Sequence, residues 1–248
     1  MSKRRTIPIE IENTEPQLCT IHLRLKILRQ LPFFKSLPDQ AIEAVNTLFR
    51  SEAYEAGQFL YYAGDPAVKL YVIAEGQVKL LRHAPAGQEV IVNMLVPGEF
   101  FGSLPILGET THTDTAQAHA SGCLLTITAE HFQDILQQHP GVSLSLLEIV
   151  SARLREAREI IQRLSASPVE SRLAATLIKL AAKIGQDKDG KLLIQMPLSR
   201  QDLAEMTGAT IETVSRSMSQ FQKQGLIESG RRWVAITDLE GLEAVIDQ

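Results

Sequence analysis

The stretch from Leu198 to Gly225 constrains this chain more than any other. Ser199 is a good helix N-cap, and Asp202, three positions on, makes a short form of the capping box. Leu203, Met206 and Thr207 fall on one helical face. Gly208 then breaks the pattern where a helix end needs a residue tolerant of positive φ. Ile211, Val214, Met218 and Phe221 follow at spacings of three and four and predict a second helix that stops at Gly225. Two short helices joined by a glycine turn, with the small Ala204 facing that turn, are the packing of a helix-turn-helix DNA reader. The exposed face of the second helix carries Glu212, Ser215 and Arg216. Arginine pairs bidentately with guanine O6 and N7, glutamate accepts from cytosine N4, and serine contacts most base edges.

Charge limits how such a reader can bind. The chain of 248 residues carries a formal net charge of −4. From Pro168 to Gln248, ten Lys/Arg face eleven Asp/Glu, so the broad basic footprint expected for phosphate contact is absent. A binding surface must come from local segregation around Arg200, Arg216, Lys223, Arg231 and Arg232, and affinity must lean on a dimer. A seam for that dimer is present. Leu147, Val150, Leu154, Ala157, Ile161 and Leu164 alternate by three and four along a helix starting at Pro140, flanked by Arg153, Arg155, Glu156, Arg158, Glu159 and Arg163.

The rest of the chain reads in order. Residues 1–21 form an arm without clear period. Ile21, Leu25, Leu28 and Leu31 predict a short helix ending near Pro32, and Pro38 opens a second with Ile42, Val45, Leu48 and Phe49 on its apolar face. Short β-forming runs follow at Phe59–Tyr62, Leu70–Ile73, Val78–Leu81, Val90–Leu95 and Cys123–Ile127, punctuated by glycines. Their spacing predicts an all-β barrel or jelly roll, with hairpin turns at Glu75-Gly76 and Ala86-Gly87. Thr128 caps a helix running to Gln138, Ser165 to Pro168 is a hinge, and Val169 to Ile184 is amphipathic. Gly185 to Lys191 reads as a polar loop and Leu192 to Ile194 as a strand. Leu226–Glu228 and Trp233–Ile236 flank Ser229-Gly230-Arg231-Arg232 as a wing, and Asp238 caps a last helix through Val245. The fold class is therefore α+β: a jelly roll of double-stranded β-helix type, a long helix, and a winged helix-turn-helix. The domain boundaries are 1–21 for the arm, 22–139 for a sensing roll, 140–166 for a dimerisation helix and 167–248 for DNA binding.

This order resembles the CRP/FNR family of bacterial transcription regulators over about residues 22–248. Its strongest local part is Thr210-Ile211-Glu212-Thr213-Val214-Ser215-Arg216, which is similar to the FNR-branch recognition helix with its Glu-x-x-Ser-Arg signature. The cyclic-AMP-receptor branch has Arg directly before the Glu, where this chain has Ile211. The resemblance implies a homodimer on double-stranded DNA reading a TTGA-type inverted repeat, one helical turn between halves. It implies phosphate contacts from Ser199, Arg200 and Gln201 and from Thr210 and Thr213, in keeping with the free N–H groups of helix N-termini. It also implies contact with RNA polymerase around Arg82 to Glu89, and hence activation.

The same resemblance locates an effector segment from Gly102 to Asp114. Cyclic-nucleotide binders hold ribose and cyclic phosphate there with a Gly-Glu pair and a downstream Arg. Here the Glu position is Ser103, and the Arg position falls near His112 or Thr113. Without the guanidinium fork, cyclic AMP is not expected. The four-cysteine iron–sulfur cluster of the FNR branch is excluded by a cysteine count of two. Haem stays open, because Cys19 and His22 put two axial-ligand types close together. A Cys19–Cys123 disulfide also stays open, since sequence cannot place their Cα atoms within bonding distance. So does the absence of any effector.

Other classes fare worse. A cupin-type metal enzyme needs clustered ligands such as His-x-His with a Glu nearby, and His112 and His119 are too far apart in sequence for that. A cyclic-nucleotide module of a kinase or channel would not end in a helix-turn-helix. No nucleophile elbow, P-loop or GxGxxG is present, so no enzyme is expected. No apolar run approaches a membrane span, no apolar h-region follows the basic N-terminus, and the cysteines suit a reducing compartment. The expected location is cytoplasmic, with no membrane partner.

Overall fold

A computed structural model describes residues 19–83, 89–105, 108–196, 198–230 and 233–246. Most of the expected N-terminal arm, the Ala86-Gly87 turn, and Arg231 and Arg232 at the wing tip lie outside these residues. The chain divides into two compact units, with the boundary in sequence between Glu156 and Ala157.

The first unit opens with α1 (Ile21–Gln30), capped by the Thr20 hydroxyl, which accepts from the Leu23 N–H. A short 3₁₀ turn (Pro32–Phe34) leads to α2 (Asp39–Leu48), which starts directly after Pro38. Arg24 clamps the two helices. Its guanidinium donates to Asn46 Oδ1 at 2.9 Å and to the carbonyls of Asn46 and Phe49 at 2.7 and 2.8 Å. Six strands follow: β1 (Arg50–Tyr54), β2 (Phe59–Tyr61), β3 (Lys69–His83), β4 (Glu89–Leu95), β5 (Phe100–Phe101) and β6 (Thr115–Thr128). Pairing is antiparallel in the order β1-β6-β3-β4, with β2 also on β6 and β5 also on β3. Then come α3 (Ala129–Gln138), capped by Thr128, and α4 (Pro140–Ala166), whose residues from Ala157 onward belong to the second unit.

Two expectations about this sheet are corrected. Leu70–Ile73 and Val78–Leu81 belong to one strand, β3, and Glu75-Gly76 is not a hairpin turn. The β3/β6 register shifts on both sides of Glu75, and Gly76, at φ +85°, sits where a Cβ would collide with the Tyr54 hydroxyl and the Ser121 carbonyl. The glycine serves a bulge and a close backbone approach, not a reversal. Strand β1, Arg-Ser-Glu-Ala-Tyr, carries no apolar alternation and gave no signal of its own.

Two apolar clusters hold the unit. Helices α1 to α3 and the foot of α4 pack on one side of the sheet around Phe33, whose ring meets Phe34, Phe100 and Phe132 edge-on at 4.7, 5.0 and 5.9 Å. From α4, Val142 and Leu146 enter this cluster. Arg153 lies 4.0 Å over the Phe100 ring and donates to the Phe100 carbonyl at 3.0 Å. The second cluster fills the roll with Tyr54, Tyr61, Tyr71, Ile73 and Phe101 among others. His112 joins it: its ring stacks on Tyr61 at 3.6 Å and is 3% exposed. Its Nδ1 accepts the Ser103 N–H at 3.3 Å, and the Tyr61 hydroxyl donates to Asp114 at 2.9 Å.

The second unit comprises α5 (Val169–Ile184), β7 (Gly185–Lys188), β8 (Lys191–Ile194), α6 (Arg200–Thr207), α7 (Ile211–Lys223), β9 (Ile227–Gly230), β10 (Trp233–Ile236) and α8 (Leu239–Ala244). Its sheet runs β7-β8-β10-β9. The polar loop expected over Gly185 to Lys191 is instead strand β7 and a tight turn into β8. Asp189 and Gly190 both have positive φ, +56° and +74°, as an Asp-Gly hairpin turn requires. Turn chemistry makes this hairpin, because Gly-Gln-Asp-Lys has no apolar alternation to announce a strand. Helix α5 packs on α6, α7 and α8, burying Leu173, Leu177 and Leu180.

The buried His112 sets a pH dependence. Burial pushes its imidazole below the ordinary histidine pKa, against the opposing pull of Asp114 and Asp65. The native state keeps the ring neutral while the unfolded chain protonates it near pH ~6.5. The unfolded state therefore binds more protons below that pH, and stability falls as pH drops from there toward the native value. His112→Phe retains a stacking ring without a titrating group. In melting curves taken across this range, the variant should lose less melting temperature in acid than the parent; equal losses would remove His112 from the account.

Candidate nucleic-acid interface

Helix α6 is fixed at both ends by local chemistry. The Ser199 hydroxyl accepts the Asp202 N–H at 3.0 Å and donates to the Asp202 carboxylate at 2.6 Å, which also accepts the Ser199 N–H at 2.9 Å. At the other end Gly208, at φ +61°, closes the helix in the left-handed region. Leu203 and Thr207 are buried, and Thr207 bonds back to the Leu203 carbonyl at 2.7 Å. Since the one hydroxyl proton of Ser199 goes to Asp202, this helix end offers an anion its first-turn N–H groups and its side chains. Gln201 is exposed and donates to Glu205 at 2.6 Å. Arg200 is half-buried and donates to Ser229 Oγ at 3.3 Å; that burial lowers its pKa, though a guanidinium keeps its charge.

Helix α7 shows its inner face clearly. Val214, Met218 and Phe221 are buried, so Glu212 and Arg216 stand exposed on the opposite side with Ser215 half-exposed beside them. Thr210 caps the helix, accepting the Thr213 N–H at 3.3 Å, and the two threonine hydroxyls lie 3.1 Å apart. Arg216 reaches Thr213 Oγ1 at 3.5 Å. The Glu212 carboxylate is held below its ordinary pKa by its own backbone N–H at the helix start and by the Thr210 hydroxyl, with Arg216 in support. It is thus an ionised, acceptor-only group at neutral pH.

Two features of this face escaped the sequence. Spacing puts Ile211 on the apolar inner face, but it is 43% exposed at the first turn. Ser219, one turn beyond Ser215, is also exposed and bonds back to the Ser215 carbonyl at 2.8 Å; its spacing of four from Ser215 was the available signal. The wing is braced to the same face. Gln222 of α7 donates to Ser229 Oγ at 3.0 Å, and Ser229 also accepts from Arg200 of α6. Behind the interface, Arg172 of α5 donates to the carbonyls of Thr207 and Ser167, both at 2.9 Å, and Ser217 donates to Glu170 at 3.1 Å.

The segment expected to take an effector lies at the roll and carries no guanidinium. Gly102, Ser103 and His112 come together, with Thr113 exposed beside them. Gly102, at φ +102°, lets the backbone pass the Lys69 carbonyl and the Tyr71 ring, each 3.0 Å from where a Cβ would stand. His112 turns into the roll. No Lys or Arg occurs between Gly102 and Asp114, so these residues do not fit a cyclic phosphate, which needs a fixed cationic fork.

The pairing of Cys19 with His22 as haem ligands is corrected. Cys19 is buried and joined to Cys123 by a disulfide, with Cα atoms 5.7 Å apart, while His22 is exposed on the first turn of α1. The sulfur is engaged inside the core and the imidazole faces solvent, so the two do not form one site. Among the described residues, no group of three or more His, Cys, Asp or Glu is placed to hold a metal ion, and no helix is long and apolar enough to cross a membrane.

Comparison with known proteins agrees with this construction at both ends of the chain. The model of the cyclic nucleotide-binding domain matches residues 51–139, and that of the Crp-like helix-turn-helix domain matches residues 171–245. The CRP-like cAMP-activated global transcriptional regulator of Mycobacterium tuberculosis is 27% identical over 217 residues, covering 88% of this chain and 97% of that protein. The fumarate and nitrate reduction regulatory protein of Salmonella typhimurium is 26% identical over 228 residues, covering 92% and 91%. The structure of FixK2 from Bradyrhizobium japonicum shares the fold, with a TM-score of 0.72 at 23% identity over 79% of this chain and 96% of that one. A roll and a winged helix-turn-helix in this order, each matched in its own place, make the chain a member of the CRP/FNR family of DNA-binding transcription regulators.

Proposed function

We propose that this regulator acts as a homodimeric activator on a TTGA-type inverted repeat, under a signal received at the roll. The observation that carries the reading is the outward presentation of Glu212, Ser215 and Arg216 from a helix whose other face is buried. Arg216 takes guanine, Glu212 accepts from cytosine on the complementary strand, and Ser215 adds an adaptable contact. Ile211 stands exposed where the cyclic-AMP-receptor branch carries Arg, which supports the FNR-type half-site. Ser199, Arg200, Gln201, Thr210 and Thr213 hold phosphates at the starts of α6 and α7, with the Ser199 contact made through its end of the helix and not its committed hydroxyl.

The dimer is supported by α4. Leu147, Val150, Leu154, Ile161 and Leu164 are 42–64% exposed in one chain, along a heptad seam that a second copy would cover. In this reading residues 22–139 sense, 140–166 dimerise and 167–248 bind DNA. RNA polymerase meets the region from Arg82 to Glu89, whose described ends are joined by His83 and Glu89 at 3.4 Å; residues 84–88 lie outside the described ones. Cyclic AMP is not the expected signal at the roll, because Ser103 stands at the Glu position and the Arg position falls near His112 or Thr113.

Fluorescence anisotropy on a TTGA-N6-TCAA duplex tests the target. Arg216→Ala should weaken binding by about 1–3 kcal/mol and relax preference at the guanine position. Glu212→Ala should relax preference at the same G·C pair, from the cytosine side. Unchanged affinity and preference in both variants would sink the assignment. Leu154→Lys places a charge in the middle of the seam; sedimentation should then show the parent as a dimer and the variant as a monomer. A parent that stays monomeric at micromolar concentration would remove the dimer reading.

A further inference from the structure

The two cysteines are separated by 104 positions, yet their Cα atoms stand 5.7 Å apart and the sulfurs are bonded. Cys19 lies just before Thr20, the cap of α1. Cys123 lies on β6 opposite Ala53 of β1 and Glu75 of β3. Both are in the core, 7% and 1% exposed. Their cluster also holds Val142 and Leu146, the buried residues of α4, and the exposed seam begins at the next position, Leu147. The bond thus joins the residue before the α1 cap to β6 inside the apolar cluster that also takes in the foot of α4. Cys19 Sγ also lies 3.6 Å from the Leu124 carbonyl. A reduced Cys19 thiol would find an acceptor already in place. The chain has no third cysteine, so exchange must come from an outside reagent.

We propose that Cys19 and Cys123 form a reversible thiol–disulfide switch, and that the oxidised form is the tighter dimer and the tighter DNA binder. The cross-link restrains two segments of the apolar cluster that the foot of α4 joins, and a preordered seam loses less on association. With a peroxide as oxidant, the Cys19 thiolate attacks the O–O bond and becomes a sulfenic acid with release of water. Cys123 then displaces the sulfenic oxygen as a second water and the S–S bond forms; two thiols and hydrogen peroxide give one disulfide and two waters. A small dithiol reverses this through a mixed disulfide, returning two electrons and two protons and leaving as a cyclic disulfide. Cys19, the less deeply buried of the two residues, is the point of entry.

The switch rests on the dimer reading, and the experiment separates the two. Full-length protein is reduced with dithiothreitol or oxidised with hydrogen peroxide, its free thiols are counted by maleimide labelling and mass, and each form is followed by sedimentation equilibrium and by anisotropy on the TTGA-N6-TCAA duplex and a scrambled one. The oxidised form should dimerise about tenfold more tightly or better, a shift of one decade in Kd, and bind the specific duplex correspondingly more tightly. Cys19→Ser keeps a donor for the Leu124 carbonyl and should sit at the reduced values under both conditions. Cys123→Ala should do the same and covers a failure of the first variant to fold. A dimer constant indifferent to the thiol count, a response that persists in Cys19→Ser, or two thiols still free after peroxide overturns the switch. Monomers in both forms overturn the dimer reading itself. A redox-dependent dimer without preference for the specific duplex leaves the switch standing and removes the target sequence.

Discussion

The antiparallel ladder between β3 and β6 is the interaction on which the first unit depends. It runs from the Lys69–Thr128 pair to the Leu81–Thr115 pair, and each of the other four strands pairs with one of these two. The ladder is not uniform. Near Glu75 it bulges, and there Gly76 and Gly122 let the backbones approach more closely than any side chain would allow. Tyr54 bonds the Glu75 carbonyl at 2.6 Å at the same place. The residue after Gly122 is Cys123, so the bulge also sets where the disulfide partner stands. Further along β3, Tyr71 forms the wall against which Phe101 stacks at 5.1 Å, and the chain beyond β5 leads directly to Ser103 and its bond to His112.

In the second unit a different economy operates. Local capping fixes each helix of the DNA-reading pair, and one apolar face on α7 decides its rotation. Once Val214, Met218 and Phe221 are buried, the helical period leaves Glu212, Ser215 and Arg216 no choice but to face outward. The wing then borrows groups from both helices through Ser229. Affinity is not supplied by overall charge, which is close to balanced here, and this is why the seam on α4 carries as much of the proposed function as the reading face does.

The second unit was read from sequence with little loss, because its signals are local. Ser199 and Asp202 cap within one turn, Gly208 ends a helix by its own φ, and spacings of three and four give the buried face. Ile211 is the exception: spacing put it inward, but at the first turn of α7 the core has already ended. Strand β7 was missed because its residues are polar and exposed, and only the Asp-Gly turn after it marked a hairpin. In the first unit the glycines misled. A glycine between two β-runs is a turn in isolation; only the closeness of Tyr54 and Ser121 to Gly76 shows that the glycine serves a close approach.

Sequence alone determined the order of the helices, the helix-turn-helix with its caps, the heptad spacing on α4, and the lack of a guanidinium between Gly102 and Asp114. These follow from residue identity over a few turns or from counting. Tertiary structure alone decided that β3 is unbroken, that His112 lies inside the roll against Tyr61, and that Cys19 meets Cys123. Each of these depends on chain segments far apart in sequence arriving at one place, and periodicity, capping and composition carry no information about distances across a fold.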